Sequence, residues 1–457
     1  MLSEVIPIKE MPCDFSFCGD YKVTQAGLVL GALAGGRVVL NNCNTGKDTD
    51  ATVAFLERVG LNIERSGSEI RIDGGGHLML PDDVTFDFDG GIFPLSLIIG
   101  LLAGLDESCF IRYSRTINQD YVDNITGSLN GIGIDILHEA DGRLVIIRAG
   151  AGYPVDIKIS SSLSHLKNCL LTFGLSSGRS VAIREMRLTS NRLEKCIERF
   201  GGSLAIDRPK PVLKEDPVDP RRKIRTIEAD FRQEIVLPPS VNLLPATLDI
   251  PYDSDTAIAL MTLAVLKRGE VTIPRVSYDR SVREFLNYLK VSGVESAVSK
   301  GKDEAGIRTA TITLQGKELK LRKTSGEQAS ALIDDTPFLA VLSAFNSGTS
   351  IIRGIEEFSE SGIAPFQEIA GKLQEMGVKC GILRDGLVVE GSREIEGVDF
   401  GSFDNPKIAL AFYIAALACQ SPSTFDNLEI VSDNYSDFVR STQDVFVGRT
   451  STGGEAG

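Results

Sequence analysis

The 457-residue sequence contains no tryptophan, only three histidines and eight cysteines. The histidines, His77, His138 and His165, are far apart and form neither an HxH nor an HExxH pattern, the spacings found in common metal sites. No two cysteines form a CxxC pair, so we expect reduced thiols that fill space in the core. The sequence therefore predicts no metal site and no cofactor.

The chain also lacks runs of basic residues. Its 48 lysines and arginines are outnumbered by 62 aspartates and glutamates, which gives a formal net charge of −14. Nucleic acids and anionic membranes are bound through basic patches that displace counterions. The charge balance therefore argues against both kinds of partner, and nothing in the sequence indicates an oligomeric state.

Long apolar runs are absent as well. The longest, LSLIIGLLAGL at 95–105, is much shorter than the roughly 18–20 residues that span a bilayer, so it predicts a buried helix. The first residues carry Glu4 and lack the basic start and apolar stretch of a signal peptide. We therefore expect a cytoplasmic protein without a membrane segment.

One unit recurs six times along the chain. It consists of an apolar helix, a turn with glycine, a β-rich strand, an amphipathic helix that ends in glycine, and another strand. The fifth copy is the clearest and runs DDTPFLAVLSAFNSG, TSIIRG, PFQEIAGKLQEMG and VKCGILRDGLVVEG. Glycine after a helix suits a left-handed cap. The pattern predicts an α/β fold built from repeats.

A segment rich in proline and mixed charge, 207–239, separates the first three units from the last three. Both hydrophobic periodicities stop there, which is typical of a surface excursion near a domain boundary. We therefore expect two domains of three units each. The final residues, 448–457, lack apolar side chains and are predicted to be a disordered tail.

Four stretches resemble the enolpyruvyl transferases, most closely the 5-enolpyruvylshikimate-3-phosphate (EPSP) synthase family. They are Asp334–Gly391, Gly19-Asp20 before an apolar helix, SYDR at 277–280 and KIALAF at 407–412. The resemblance covers nearly the whole chain. It implies two domains, each of three βαβαββ units whose buried parallel helices point their N-termini at an interdomain cleft. One domain would comprise 1–17 and 245–447, and the other 18–244.

The family moves the carboxyvinyl group of phosphoenolpyruvate onto a sugar-like hydroxyl. The resemblance therefore implies a small-molecule substrate in the interdomain cleft. Phosphoenolpyruvate carries a phosphate and a carboxylate, so the cleft needs several cations. Each cation contributes about 4 kcal/mol at about 4 Å and an effective dielectric constant near 20.

The ligand loops depart from the family pattern although the helices keep theirs. Tyr21 stands where the family has lysine, and Ala26 where it has arginine. Asp120 and Asp433 replace basic residues. Further losses of polar or basic residues affect 90–97, 359–365 and 404–407, and LSH at 163–165 replaces the family's SSQ. The pattern predicts a degenerate active site that lacks the basic side chains needed to bind phosphoenolpyruvate.

Three catalytic candidates remain. Asp334 aligns with the family aspartate that contacts acceptor hydroxyls and serves as a base, although an aspartate there can simply cap a helix. His165, at the family's glutamine position, can act as acid or base near neutral pH, or lie on a helix surface. Lys22 stands one position beyond the expected catalytic lysine and is otherwise a solvated surface residue.

Three substrate-binding candidates accompany them. Thr24 and Ser164 retain hydroxyl groups at family positions, and Lys407 stands where the family has an arginine that holds an anion. Lysine is a point charge and lacks the bidentate fork of arginine. By contrast, Asp335 is expected to be only a charge in the first helical turn.

These candidates leave three hypotheses open. The chain is a repurposed enzyme that acts on a shikimate- or cyclitol-like small acid by acid–base elimination, using Asp334 with His165 or Lys22. Alternatively, it is a non-catalytic homologue that binds a ligand or a protein partner. The third hypothesis is an active carboxyvinyl transferase with unfamiliar contacts, because helix N-termini attract anions without basic side chains.

Overall fold

A computed structural model of the chain describes most of the sequence. The described residues are 2–12, 15–75, 78–80, 85–105, 107–114, 117, 119–139, 143–146, 155–159, 164–210, 212–215, 223–226, 229–320, 323–325, 327–353, 363–392 and 394–442. Within them, no helix is both long enough and apolar enough to cross a membrane. The predicted tail at 448–457 and the stretch 359–362 lie outside the described residues, as does His77.

The helices alternate along the chain between buried apolar ones and half-exposed ones. In chain order they are α1 (Tyr21–Leu33), α2 (Lys47–Arg58), α3 (Ile92–Ala103), α4 (Gln119–Gly131), α5 (Ser164–Ser177), α6 (Arg192–Arg199), α7 (Ser254–Lys267), α8 (Arg280–Val291), α9 (Glu327–Ala331), α10 (Thr336–Ala344), α11 (Ile363–Glu375), α12 (Pro406–Ala418), α13 (Glu429–Asn434) and α14 (Ser436–Thr442). A short 3₁₀ helix, Ile333–Asp335, precedes α10.

The strands are short and fall between these helices. In chain order they are β1 (Ser3–Val5), β2 (Arg37–Asn41), β3 (Asn62–Ser66), β4 (Glu69–Asp73), β5 (Thr85–Phe88), β6 (Cys109–Tyr113), β7 (Ile136–His138), β8 (Arg143–Ile146), β9 (Val155–Ile159), β10 (Val181–Glu185), β11 (Ala205–Asp207), β12 (Val212–Glu215), β13 (Lys223–Thr226), β14 (Gln233–Leu237), β15 (Thr247–Asp249), β16 (Glu270–Ser277), β17 (Ser296–Glu304), β18 (Ile307–Gln315), β19 (Lys323–Thr324), β20 (Gly348–Arg353), β21 (Lys379–Leu383), β22 (Gly386–Gly391) and β23 (Ser423–Phe425).

The chain divides into two compact units. The middle unit comprises Gly19–Pro251 and Asp303–Ile307, and the C-terminal unit comprises Met1–Cys18, Tyr252–Lys302 and Arg308–Gly457. The predicted boundaries after residues 17 and 244 lie near two of these divisions but do not anticipate the exchange of 303–307. The assignment of each unit as an independent domain stays a prediction.

The middle unit contains three four-stranded mixed sheets, ordered β15-β2-β4-β3, β5-β6-β8-β7 and β11-β14-β10-β9. Each sheet has one parallel pair, β15 with β2, β5 with β6 or β9 with β10, and its other pairs are antiparallel. Three buried helices, α1, α3 and α5, belong to the core of this unit. The predicted buried helix at 95–105 is confirmed as part of α3.

The close approach of α3 to α5 depends on a glycine. A Cβ atom on Gly100 would lie 2.1 Å from the carbonyl oxygen of Cys169, a separation that no pair of packed atoms tolerates. Only glycine therefore lets the two backbones approach this closely. Gly100, the first of the two glycines in LSLIIGLLAGL, is thus a packing residue in the middle of a helix.

The C-terminal unit follows the same plan with a second set of buried helices. Its sheets are β16-β18-β17, β19-β20-β22-β21 and the pair β1-β23. Helices α7, α10 and α12 are apolar on nearly every face and form the core of this unit. A helix that is apolar all round is stable only when it is surrounded by protein.

The predicted surface excursion at 207–239 was wrong at its C-terminal end. Residues 233–237 form β14, which pairs with both β10 and β11. Ile235 and Leu237 on this strand are fully buried. The prolines and charges before residue 233 concealed a short strand whose two inward residues complete a sheet.

Candidate functional site

The N-termini of the three buried helices in the C-terminal unit meet at one lysine. Lys407, the second residue of α12, places its Nζ 2.9 Å from Asp255 Oδ1 and 2.7 Å from Asp335 Oδ1. Asp255 lies in the first turn of α7, and Asp335 immediately precedes α10. The two ion pairs therefore join the starts of all three helices.

Helix capping explains why these side chains sit together. Asp253 caps α7 by accepting a hydrogen bond from the Thr256 amide at 2.8 Å. Asn405 caps α12 by accepting from the amides of Lys407 and Ile408 at 2.9 and 3.2 Å. Polar residues at the N-cap satisfy amides that the helix leaves unpaired. The caps fix where each helix begins and hence where the charged residues of its first turn lie.

Burial and the neighbouring carboxylates control the ionisation of this cluster. Burial alone would lower the pKa of Lys407, but Asp255, Asp335 and Asp334 hold it well above its ordinary value. Burial raises the pKa of Asp335, and the Lys407 ammonium and the Ser281 hydroxyl partly offset that rise. Lys407 is thus a charged lysine already neutralised by two carboxylates.

The two neighbouring aspartates, Asp334 and Asp335, differ in burial, and the catalytic role of Asp334 stays a prediction. Asp335 is fully buried, whereas Asp334 is exposed. Asp334 acts on Lys407 only through its charge. Asp335 and Asp255 were missed as part of the site, although each is an acidic residue at the start of an apolar helix, which is a signal visible in the sequence.

Aromatic side chains occupy the corresponding helix starts of the middle unit. Tyr21 opens α1, Phe93 lies in the first turn of α3, and His165 lies in the first turn of α5. The Tyr21 and Phe93 ring centroids are 5.7 Å apart, and those of Phe93 and His165 are 6.5 Å apart. Tyr121 of α4 packs edge-on against His165 at 5.5 Å. We call these four residues the aromatic cluster.

Asp48 ties two of these helix starts together from α2. One of its carboxylate oxygens accepts a hydrogen bond from the Tyr21 hydroxyl, and the other accepts from the Gly91 amide at 2.8 Å. Gly91 is the cap residue of α3 and has no side chain of its own for this purpose. Burial raises the pKa of Asp48, and both hydrogen bonds partly offset that rise. Asp48 thus supplies the cap that α3 lacks.

The remaining candidates in the middle unit lie in the first turns of α1 and α5. Lys22 is half-exposed and forms no ion pair within the described residues. Thr24 is fully buried, and its hydroxyl donates to the Asp20 carbonyl at 2.9 Å and accepts from the Asn44 amide at 2.9 Å. Ser164 is the half-exposed first residue of α5. Their ligand roles stay predictions.

A buried charged network beside α1 was not foreseen from the sequence. Arg192 Nε lies 2.8 Å from Asp20 Oδ2, while the other oxygen of Asp20 caps α1 through the Val23 amide. Arg192 also donates to the Ser190 hydroxyl at 3.2 Å. Asp20 therefore holds the start of α1 to the start of α6, where Arg192 is the first residue.

The network continues to a lysine in the core. Lys167 Nζ donates to the Ser190 carbonyl at 2.6 Å and pairs with Glu194 at 2.7 Å and Glu185 at 3.3 Å. All three charged side chains are at most 1% exposed. Burial alone would lower the pKa of Lys167, but the two glutamates raise it above its ordinary value. The sequence shows Lys167 within an apolar helix pattern, and that pattern does not indicate Glu185 and Glu194 as its partners.

The helix N-termini therefore carry little uncompensated positive charge from side chains. Among the described residues, the buried cations Lys167 and Arg192 and the partly buried Lys407 are each paired with carboxylates. Carboxylates and hydroxyls at such a site accept and donate hydrogen bonds to hydroxyl groups.

Comparison with known proteins identifies the fold. A 3-phosphoshikimate 1-carboxyvinyltransferase of Synechococcus sp. (strain JA-3-3Ab) is 25% identical over 444 residues, which cover 96% of this chain and 95% of that protein. One of Oceanobacillus iheyensis is 23% identical over 433 residues, 93% of this chain and 95% of that protein.

Solved structures agree with the two-domain enolpyruvyl-transferase fold. An EPSP synthase of Acinetobacter baumannii has a TM-score of 0.74 at 21% identity and covers 96% of this chain and 97% of its own. The enolpyruvyl transferase NikO of Streptomyces tendae has a TM-score of 0.70 at 15% identity, with 96% of each chain covered. The EPSP synthase (3-phosphoshikimate 1-carboxyvinyltransferase) family pattern matches residues 7–441, and the chain therefore belongs to this family.

Proposed function

We propose that this member of the family no longer transfers a carboxyvinyl group from phosphoenolpyruvate and instead acts on a shikimate- or cyclitol-like small acid. The observation that carries the proposal is the pairing of Lys407 with both Asp255 and Asp335. A lysine held by two carboxylates cannot also neutralise a phosphate without leaving those carboxylates unpaired. The cluster therefore repels a doubly anionic donor.

The same cluster suits the hydroxyl side of a polyhydroxylated ring. Asp334 is exposed at the start of α10, where its carboxylate is accessible to accept hydrogen bonds. Its negative charge acts on Lys407, which keeps a cation nearby. A carboxylate with a neighbouring ammonium can bind a pair of ring hydroxyls and remove a proton. Asp334 and Asp255 would then orient the ring by hydrogen bonds to its hydroxyl groups, and Lys407 would hold these carboxylates in place by its positive charge.

The reaction class we propose is elimination of water from the ring acid. Asp334 would remove a proton from a ring carbon next to the carbon that bears the leaving hydroxyl, the new carbon–carbon double bond would form between these two carbons, and the carbon–oxygen bond of that hydroxyl would break. His165 or Lys22 would give a proton to the departing hydroxyl, which leaves as water. Thr24 and Ser164 are the hydroxyl-bearing residues proposed to contact the ligand.

Ligand-induced stabilisation and phosphate release test the proposal together. Thermal unfolding would be followed with shikimate, quinate, phosphoenolpyruvate and shikimate 3-phosphate, each at millimolar concentration. A ligand at 100 times its dissociation constant stabilises a protein by about 2.7 kcal/mol, a readily measured shift. We expect stabilisation by the ring acids, none by phosphoenolpyruvate, and no phosphate release from phosphoenolpyruvate with shikimate 3-phosphate.

A matched pair of variants assigns any stabilisation to the proposed residue. Asp334→Asn should abolish the shift caused by the ring acid, whereas Asp303→Asn, at an equally exposed aspartate, should leave it unchanged. Phosphate release that requires both phosphoenolpyruvate and shikimate 3-phosphate would overturn the proposal in favour of an active carboxyvinyl transferase.

The aromatic cluster favours one alternative, a non-catalytic homologue. Tyr21, Phe93, His165 and Tyr121 cover the helix starts of the middle unit with rings rather than with charged donors. Such a surface suits packing more than chemistry on a polar substrate. The absence of any thermal shift with all four ligands would support this alternative.

A further inference from the structure

A cavity lies at the C-terminal ends of the buried helices of the C-terminal unit. It has a volume of about 240 Å³ and lies where α7, α10 and α12 end. Its polar lining comes from Lys267, Arg268, Lys317, Glu318, Asn346 and Gln420. The Lys407 cluster lies at the opposite end of the same helices, and the 13 residues of α12 alone span about 20 Å.

Lys267 is a half-buried cation without an acidic partner. It is the last residue of α7 and forms no ion pair or hydrogen bond through its ammonium group within the described residues. Burial lowers its pKa, and the only opposing influence is the thiol of Cys419. By contrast, Lys167 and Lys407 are each held by two carboxylates. Lys267 thus lacks the counter-ion that the protein supplies elsewhere.

The cavity has a positive charge balance. Three basic residues, Lys267, Arg268 and Lys317, line it together with one acidic residue, Glu318, so the described part of the lining carries a formal charge of +2 in a chain whose net charge is −14. The single carboxylate lies 3.7 Å from Arg268 and is therefore already engaged. Lys317 forms no ion pair within the described residues, so two ammonium groups remain without a counter-ion.

Hydrogen bonds and backbone conformation fix the main chain of one of these basic residues beside the cavity, although its side chain is 65% exposed. Arg268 caps α7 in the left-handed conformation, with φ 53°, and its carbonyl accepts a hydrogen bond from Gln315 Nε2 at 3.0 Å. Asn346 is anchored by donating to the Leu342 carbonyl at 2.7 Å. The side-chain amide of Gln420 forms no hydrogen bond within the described residues and remains available as a donor.

Compensation of the helix dipole does not account for this arrangement. A cation near a helix C-terminus is favourable, and an exposed side chain in the last turn is enough for that purpose. Lys317 belongs to no helix, since it follows β18, yet it faces the same cavity. Lys267 and Arg268 at the end of α7 and Lys317 in a loop thus line the same cavity. Such clustering of basic residues is typical of an anion-binding site.

We propose that this cavity binds a small polyanion of the phosphate or pyrophosphate type. Lys267 is the central ligand, and Arg268, Lys317 and the Gln420 amide complete the shell. The proposal is independent of the function proposed above, because the cavity and the Lys407 cluster lie at opposite ends of the helices.

Calorimetric titration of the full chain with inorganic pyrophosphate, at constant ionic strength, tests this proposal. We expect saturable binding that weakens at least tenfold in Lys267→Met and several-fold in Lys317→Met. Methionine keeps the apolar stem of lysine and removes its charge, and Lys317 is exposed, so both variants should fold. Lys290→Met is the matched control, because Lys290 is an exposed lysine in the last turn of α8 outside the cavity.

The outcomes separate a built site from general attraction of anions. Absence of saturable binding at millimolar pyrophosphate would overturn the proposal. Equal weakening in Lys290→Met and Lys267→Met would also overturn it, since that result means a diffuse charge effect. Binding that becomes tighter in Asp334→Asn but is unchanged in Lys267→Met would place the anion at the candidate site and refute this cavity as its location.

Discussion

Lys407 Nζ lies 2.7 Å from Asp335 Oδ1, and this ion pair joins the starts of α12 and α10 in the core of the C-terminal unit. Asp335 is fully buried, and the lysine side chain is 17% exposed. A pair at this depth is retained only if both partners are present, because either charge alone is strongly disfavoured in the interior. The pair therefore determines both the stability of the unit and the charge of the candidate site.

Replacing Lys407 by methionine should destabilise the protein strongly. The change leaves Asp335 and Asp255 close together without a cation, and removal of one partner of a buried pair costs ~3–5 kcal/mol. The double variant Lys407→Met/Asp335→Asn should recover part of that loss, since it removes the unpaired buried charge. Urea denaturation would measure the free energy of unfolding of the wild type, the single variant and the double variant.

The exposed Lys379 provides the control for this prediction. Its side chain is 82% exposed and lies 4.0 Å from Glu390, so Lys379→Met should change the free energy of unfolding by less than about 0.5 kcal/mol. A Lys407→Met protein as stable as this control would contradict the assigned role of the pair.

The Lys167 network predicts a pH dependence that differs between two variants. In Lys167→Met, Glu194 loses the ammonium that partly offsets its burial, while repulsion from Glu185 remains, so the pKa of Glu194 rises further. A raised carboxyl pKa means that the folded state binds more protons, so stability is lost as the pH rises. The variant should therefore lose stability relative to wild type between about pH 5 and pH 7.

Glu194→Gln should behave in the opposite way. Burial already raises the pKa of Glu194 above 4.5, so ionised Glu194 is an unfavourable group at neutral pH that the glutamine removes. Lys167 keeps Glu185 and the Ser190 carbonyl as partners. We expect a change below about 1.5 kcal/mol and a flatter pH profile in urea unfolding from about pH 5 to pH 8. A steeper profile would refute this account.

Gly100→Ala should separate α3 from α5. The added Cβ would lie 2.1 Å from the Cys169 carbonyl oxygen, and overpacking of a core costs ~1–3 kcal/mol or more. Gly127 in α4 is the matched control, because a Cβ there meets nothing within 4 Å. Gly127→Ala should stabilise the helix by about 0.5–1 kcal/mol. Thermal unfolding compares the two, and equal melting temperatures would contradict the packing argument.

Tyr21→Lys should not restore phosphoenolpyruvate binding. It returns the lysine that the family pattern has at this position, but Asp48 already accepts a hydrogen bond from the side chain of residue 21. The new ammonium would therefore pair with Asp48 and lower the pKa of that carboxyl group. We expect no thermal shift with phosphoenolpyruvate in the single variant. Stabilisation by phosphoenolpyruvate would show that one missing cation accounts for the altered site.

The sequence predicted the buried helices because their apolar residues leave little choice. LSLIIGLLAGL and KIALAF lie in α3 and α12, whose side chains are almost all buried. β14 was not predicted, because five residues with two inward side chains carry too weak a period to stand out beside prolines and charges. Hydrophobic periodicity identifies long elements far better than short ones.

The sequence analysis named individual positions for a candidate site but could not name the pairings between them. The sequence pointed to Asp334 and Lys407, but the buried partners Asp255 and Asp335 depend on which side of a helix start faces its neighbours. The partners of Lys167 lie on a different helix and a different strand. Such contacts depend on the tertiary arrangement, which residue types and spacing in one chain do not determine.

Asp48 links two positions that lie far apart in the sequence, residues 21 and 91. Its two oxygens serve Tyr21 and Gly91, so the consequence of a substitution at residue 21 depends on what occupies residue 48. A lysine at residue 21 would pair with Asp48, and freeing it by replacing Asp48 would leave α3 without its cap. Substitutions at residues 21 and 48 are therefore coupled, and the coupling extends to the start of α3.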